Sequence, residues 1–151
     1  MGRAAPLRAF VERNLAELLE VPKVEPEPEG TYEFACGKTP IRVELNDESG
    51  MVLLHLLALL VQRPTKTNGR VLAFLNETNG MRIPIRVFRD EADVVAAWVV
   101  PVETMDDEQF QRVCSHFCQL ADELASAAAE SIGGRRPRRA PRSLDREVVE
   151  A

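Results

Sequence analysis

The stretch from Met81 to Ala128 constrains the fold more than any other part of the chain. Residues 82–88 alternate polar and apolar side chains, the period of a strand with one buried face. Residues 94–100 are apolar throughout, as in a central strand or one covered on both faces. The charged run Arg89 to Asp93 between them predicts a hairpin with a five-residue loop. From Asp106 the period changes. Phe110, Val113, Cys114, Phe117, Cys118, Ala121, Leu124, Ala125 and Ala128 recur at helical spacing and form one broad apolar stripe.

This unit yields a candidate contact surface. With Phe88 opposite Val94, Arg86 faces Ala96, Pro84 faces Trp98 and Arg82 faces Val100. Ile83, Ile85 and Val87 then meet Val95, Ala97 and Val99 on a purely apolar face, the expected core beneath the helices. The other face carries Phe88, the only tryptophan (Trp98), Arg82 and Arg86, a mixture common in protein contacts. Those four residues are the predicted peptide- or subunit-binding set. The plain alternative is that a helix covers Trp98. A register slipped by one residue would exchange the faces.

Upstream, Leu7, Phe10, Val11, Leu15, Leu18 and Leu19 mark one face of a helix that Pro6 can start and Pro22 ends. Residues 21–29 mix three prolines with three glutamates and read as a stiff, solvated linker. Residues 31–36 and 41–45 alternate as a second hairpin, with a turn at 46–50. Met51 to Val61 has no polar face. Its leucines favour a helix by propensity, while its place after a hairpin suits a buried strand, and periodicity cannot arbitrate. Thr67 or Asn68 can cap a short helix that Asn79-Gly80 stops. Thr104 predicts a capping box for the last helix. Beyond Gly133-Gly134, arginines among prolines cannot bury a face, so a disordered tail is expected from 133 to 151 after a domain at 1–132. The order α-βββ-α-ββ-α argues an α+β domain with helices packed on an antiparallel sheet.

Charge narrows the partners. The net charge of −5 divides into −8 for residues 1–130 and +3 for 131–151. An acidic body disfavours nucleic acid, leaving only the basic tail as a route to it. The longest apolar run falls short of the roughly 20 residues of a membrane helix, and the N-terminus shows no signal-peptide pattern. Three cysteines without framework spacing predict a reduced, cytoplasmic protein.

The order and several local phrases resemble the YbjN-like and type III secretion chaperone-like family in its actinobacterial form. Gly30–Phe34 with Pro40–Leu45 resembles its first hairpin, and Val71–Asn79 its short middle helix. Val99–Glu103 and the helix ending Leu120–Leu124 resemble its last strand and last helix. The resemblance covers about residues 4–130. It implies a five-stranded antiparallel sheet, a homodimer, and an extended client segment as ligand, and it makes Met51–Val61 a strand. The leucine-rich third strand and the Arg-Pro tail depart from the family pattern.

Catalytic parts are missing from the sequence. Cys114 and Cys118 lie on the apolar stripe, where cysteine acts as a small hydrophobe, and no second ligand pair stands at zinc spacing. His55 reads as a strand histidine. There is no nucleophile elbow, phosphate loop or zincin helix. The expectation is a non-enzymatic, cofactor-free protein that holds a peptide or protein client on its sheet. The runner-up is a regulatory module binding a folded partner with the tail as second anchor; a nucleic-acid-associated factor ranks third.

Overall fold

Helix α1 (Ala4–Leu19) precedes strands β1 (Tyr32–Cys36), β2 (Thr39–Glu48) and β3 (Met51–Gln62). Helix α2 (Asn68–Asn79), strands β4 (Arg86–Asp90) and β5 (Asp93–Pro101), and helix α3 (Asp107–Ile132) complete the chain. The computed structural model describes residues 4–48 and 50–138. Ser49 of the expected turn and the tail arginines Arg139 and Arg142 lie outside the described residues.

The five strands form one antiparallel sheet in the order β1-β2-β3-β5-β4. The α+β architecture expected from the sequence is the one observed. Met51–Gln62 is the central strand, paired on one side with β2 and on the other with β5. Its lack of a polar face follows from that position, since side chains on both faces of the strand are buried. An irregularity between Leu59 and Val61 lets β3 keep pace with β5.

The helices pack on one face. Ile41, Val43, Leu54, Leu56, Ala58, Val87, Val94 and Ala96 project from the sheet into a core shared with Val11, Leu15, Val71, Phe110, Phe117 and Ala121. Burying Phe110 and Phe117 contributes roughly 1.5–3 kcal/mol each. Helix α3 starts two residues later than Thr104 suggested. Asp106 is the N-cap and forms a capping box with Gln109, its carboxylate accepting from the Gln109 N–H at 2.8 Å. Thr67 caps α2, accepting from the Arg70 N–H.

Two expectations are corrected here. Cys36 and Cys118, expected to be reduced, form a disulfide with Cα atoms 5.5 Å apart, tying the first hairpin to α3. Their sequence separation of 82 hides the pairing from local inspection. Cys114 is the buried free cysteine among the described residues, as the apolar stripe implied. Residues 133–138 are also held against the body rather than disordered. Arg135 forms a two-bonded bridge with Gln62, both N···O distances being 2.8 Å, and Pro137 is buried.

Candidate functional site

The hairpin of β4 and β5 turns on two residues, Glu91 and Ala92, because Asp90 pairs with Asp93. Glu91 adopts φ 55° to make that tight reversal. The expected five-residue loop is therefore too long, and the register moves by one. Phe88 stands opposite Val95, Val87 opposite Ala96 and Arg86 opposite Ala97. Strand β4 presents the faces the sequence predicts, with Ile85 and Val87 in the core. Strand β5 presents the reverse. Its unbroken apolar run gave no sign of which face belonged inside.

Trp98 consequently lies on the helix-covered face. It packs against the core, its ring 6.0 Å from that of His116 on α3 in an edge-on arrangement. Arg82 sits in the connection between α2 and β4, exposed and outside the sheet. Of the four predicted contact residues, only Arg86 and Phe88 share the outer face. Pro84, Arg86, Phe88, Ala97, Trp98 and Val99 do border one cleft of about 360 Å³, so Trp98 stays next to the surface it was expected to join.

The outer face carries none of the three described helices. Cross-strand pairing sets one row across all five strands: Glu33, Arg42, Leu57, Ala97 and Arg86. A second row brings Leu59, Val95 and Phe88 together. Leu57, Leu59, Val95 and Ala97 form an apolar strip that stands outside the helix-side core and is itself buried, at 1–7 % exposure. Val99 extends it at 41 % exposure. Polar side chains bound the strip. Arg42 pairs with Glu33 and also donates to the Thr31 hydroxyl at 3.3 Å.

A buried polar group that sequence reasoning missed adjoins the strip. His55 and Glu44 face each other across β2 and β3. The His55 ring lies 3.1 Å from a Glu48 carboxylate oxygen through Nε2 and 3.2 Å from the Asn46 amide through Nδ1. Asn46 also donates to Glu44 Oε1 at 3.3 Å. The alternation of Arg42, Glu44 and Asn46 along β2 was the available signal, and it places all three on the outer face.

The two sheet edges differ. Asn79 of α2 accepts from the Val87 N–H and donates to the Val87 carbonyl, both at 2.7 Å, and so caps the outer edge of β4 with a side-chain amide. Strand β1 is the other edge. No helix is long and apolar enough to cross a membrane, and no cluster of three metal-ligating side chains occurs, both among the described residues.

Comparison with known proteins agrees with this geometry. A chain of the ExsC–ExsE complex has the same fold, with TM-score 0.62 at 18 % identity over 81 % of this chain and 96 % of that one. A chain of the Pseudomonas aeruginosa type III secretion complex ExoU–SpcU gives TM-score 0.57 at 13 % identity, over 80 % and 98 %. A chain of the Yersinia pestis chaperone SycH in complex with a YscM2 fragment gives 0.56 at 12 % identity, over 78 % and 98 %. No curated protein matches the sequence. Residues 5–140 match the family model described as T3SS (YopN, CesT) and YbjN peptide-binding chaperone 1, and the chain belongs to that peptide-binding chaperone family, TY-Chap1.

Proposed function

We propose that this protein holds an extended client segment against the outer face of its sheet, without catalysis. The observation that carries the reading is the apolar strip of Leu57, Leu59, Val95, Ala97 and Phe88, continuous across three strands and bordered by Arg86 and the Glu33–Arg42 pair. Leu57, Leu59, Val95 and Ala97 are themselves buried, so client side chains would meet the accessible margin of the strip, Phe88 and Val99, with Arg86 beside them at the cleft. With β4 capped by Asn79, backbone pairing of a client belongs at β1. The solved complexes of similar fold contain chaperones together with effector proteins or fragments, which supports a protein client here.

The test is capture of clients by the full chain and by Phe88→Asp and Arg86→Glu variants. A shared set of unfolded-segment clients, lost from both folded variants, supports the reading. An unchanged set sinks it.

A homodimer and a cytoplasmic site of action belong to the same proposal. Leu72 (56 % exposed) and Met81 (51 %) put apolar surface on and just after α2, where a second copy would dock. Light scattering on Leu72→Glu tests this: a dimer turned monomer supports the contact. The Cys36–Cys118 bond weighs against the cytoplasmic part, and a thiol count on protein trapped in cells tests it: reduced cysteines support that setting, and a persistent bond counts against it.

A further inference from the structure

The tip of the first hairpin is fastened to α3 at two adjacent points. Cys36, the last residue of β1, pairs with Thr39, the first of β2, across the two-residue turn Gly37-Lys38. Cys118 and Asp122 stand four residues apart on one side of α3, so they meet that pair together. Cys36 bonds to Cys118, and the Thr39 hydroxyl donates to Asp122 Oδ1 at 2.7 Å. The turn rests directly on this carboxylate: Gly37 takes φ 61°, and a Cβ there would lie 2.9 Å from Asp122 Oδ2. Arg136 adds a further hold, donating to the same Thr39 hydroxyl at 3.3 Å.

The covalent fastening lies open to solvent. Cys36 and Cys118 are both partly exposed, and they border a cleft of about 380 Å³ with Leu18, Leu19, Ser115 and Gln119. That volume falls in the roughly 300–1,000 Å³ of small-molecule sites. Cys114, one turn earlier on α3, is buried and does not border the cleft. Accessible disulfides are the ones that small thiols attack, and in reducing compartments disulfides are chiefly transient or sensing ones.

We propose that Cys36–Cys118 is a reversible thiol-exchange site, entered through this cleft by a low-molecular-weight thiol, and that it clamps and releases the tip of the edge hairpin. An entering thiolate bonds to one of the two sulfurs, the Cys36–Cys118 bond breaks, and its electron pair leaves on the other sulfur, which takes up a proton. A second thiolate then displaces the remaining cysteine from the mixed disulfide, which gives the small-molecule disulfide and a second protonated protein thiol. Unbonded sulfurs part to van der Waals separation, so the turn at Gly37-Lys38 moves off α3 and keeps Thr39–Asp122 as its fastening. Strand β1 is the edge given above to client pairing, so control of a client by this bond rests on the client-holding reading; the exchange itself does not.

The test uses the full oxidised chain in native buffer with reduced glutathione, quenched with iodoacetamide and counted by mass. The rate of opening should rise in proportion to glutathione from about 1 to 20 mM. Ser115→Trp, which fills the cleft mouth, should slow it about fivefold with circular dichroism unchanged. Excess glutathione disulfide should restore the bond. Amide hydrogen exchange at residues 36–39 should quicken about tenfold in the reduced chain and in a Cys36→Ser, Cys118→Ser chain, while β3 and β5 stay as they were. A rate independent of glutathione means that opening waits for unfolding, and it overturns the proposal. So does a Ser115→Trp chain that opens at the original rate, a bond that glutathione disulfide does not form, or equal protection of the turn in both states. No client enters these measurements, so this inference and the client-holding reading fail separately.

Discussion

Phe88 of β4 stands opposite Val95 of β5 on the face of the sheet that carries no described helix, while Trp98 of the same β5 strand points at α3. The two aromatics therefore report on different things. Phe88→Asp adds a charge to a half-exposed position and should leave thermal stability nearly unchanged while reducing client capture at least tenfold. Trp98→Ala removes packing against the core beside His116 and should cost roughly 2–3 kcal/mol, less than the full core value because the ring is partly exposed. Denaturant melts alongside client binding check the pair. A Trp98→Ala chain of unchanged stability that loses clients would return Trp98 to the contact surface.

The register explains how far the sequence could be read. Polar–apolar alternation in β2 and β4 assigns each side chain to a face, and Arg42, Val43, Arg86 and Val87 all lie where that period puts them. In β3 and β5 the period is erased because both faces are apolar. Trp98 could then be placed only through its partner strand, and a one-residue shift of register decided the answer. Met51–Gln62 needed the family resemblance to become a strand, since its leucines suit a helix equally well. Cys36 and Cys118 approach each other only once the first hairpin has packed on α3, a long-range event with no local signature. The same holds for Arg135, whose partner Gln62 is known only when the end of β3 is fixed.

Asn14, buried on α1, joins α1 to α3. It donates to the Phe10 carbonyl at 3.0 Å and to Asp107 Oδ1 at 2.9 Å, and accepts from the Gln111 amide at 2.9 Å. Asn14→Ala should cost about 1–3 kcal/mol, because Gln111 and Asp107 lose a buried partner. Hydrogen bonds from Asn14 and Arg13 hold the Asp107 carboxyl below its ordinary value. A depressed folded-state pKa stabilises above 3.8 and is lost as the pH falls beneath it. Acid unfolding curves should therefore show a shallower pH dependence in the Asn14→Ala chain. A parallel curve would detach Asp107 from this clamp.

Tyr32, the single tyrosine, couples β1 to α1 through a 2.7 Å hydrogen bond from its hydroxyl to Glu12 Oε2. Burial, reinforced by the bond to Glu12, pushes its pKa from 10.0 up to about 12. A raised folded-state pKa gives stability that is complete below pH 10 and lost as the pH climbs through about 12. Absorbance titration near 295 nm reads this residue alone. The native midpoint should fall well above that of the urea-unfolded chain, and Glu12→Gln should lower it. Coincident native and unfolded midpoints would show that β1 does not dock against α1.

The cysteines give the last prediction its count. Cys114 is buried on α3, and burial pushes its thiol up to about 12, so almost no thiolate exists at pH 8. Cys36 and Cys118 are bonded to each other. The oxidised native protein should therefore take up no iodoacetamide at pH 8. Unfolding without reductant should expose one reactive thiol, and unfolding with reductant should expose three, as read by mass. Because the bond closes a loop of 82 residues, its reduction should lower stability by about 2–4 kcal/mol while leaving the sheet formed. Two alkylated sites in the native, unreduced protein would mean that Cys36 and Cys118 stay apart in solution, and the first hairpin would then be held to α3 by packing and the Thr39–Asp122 hydrogen bond.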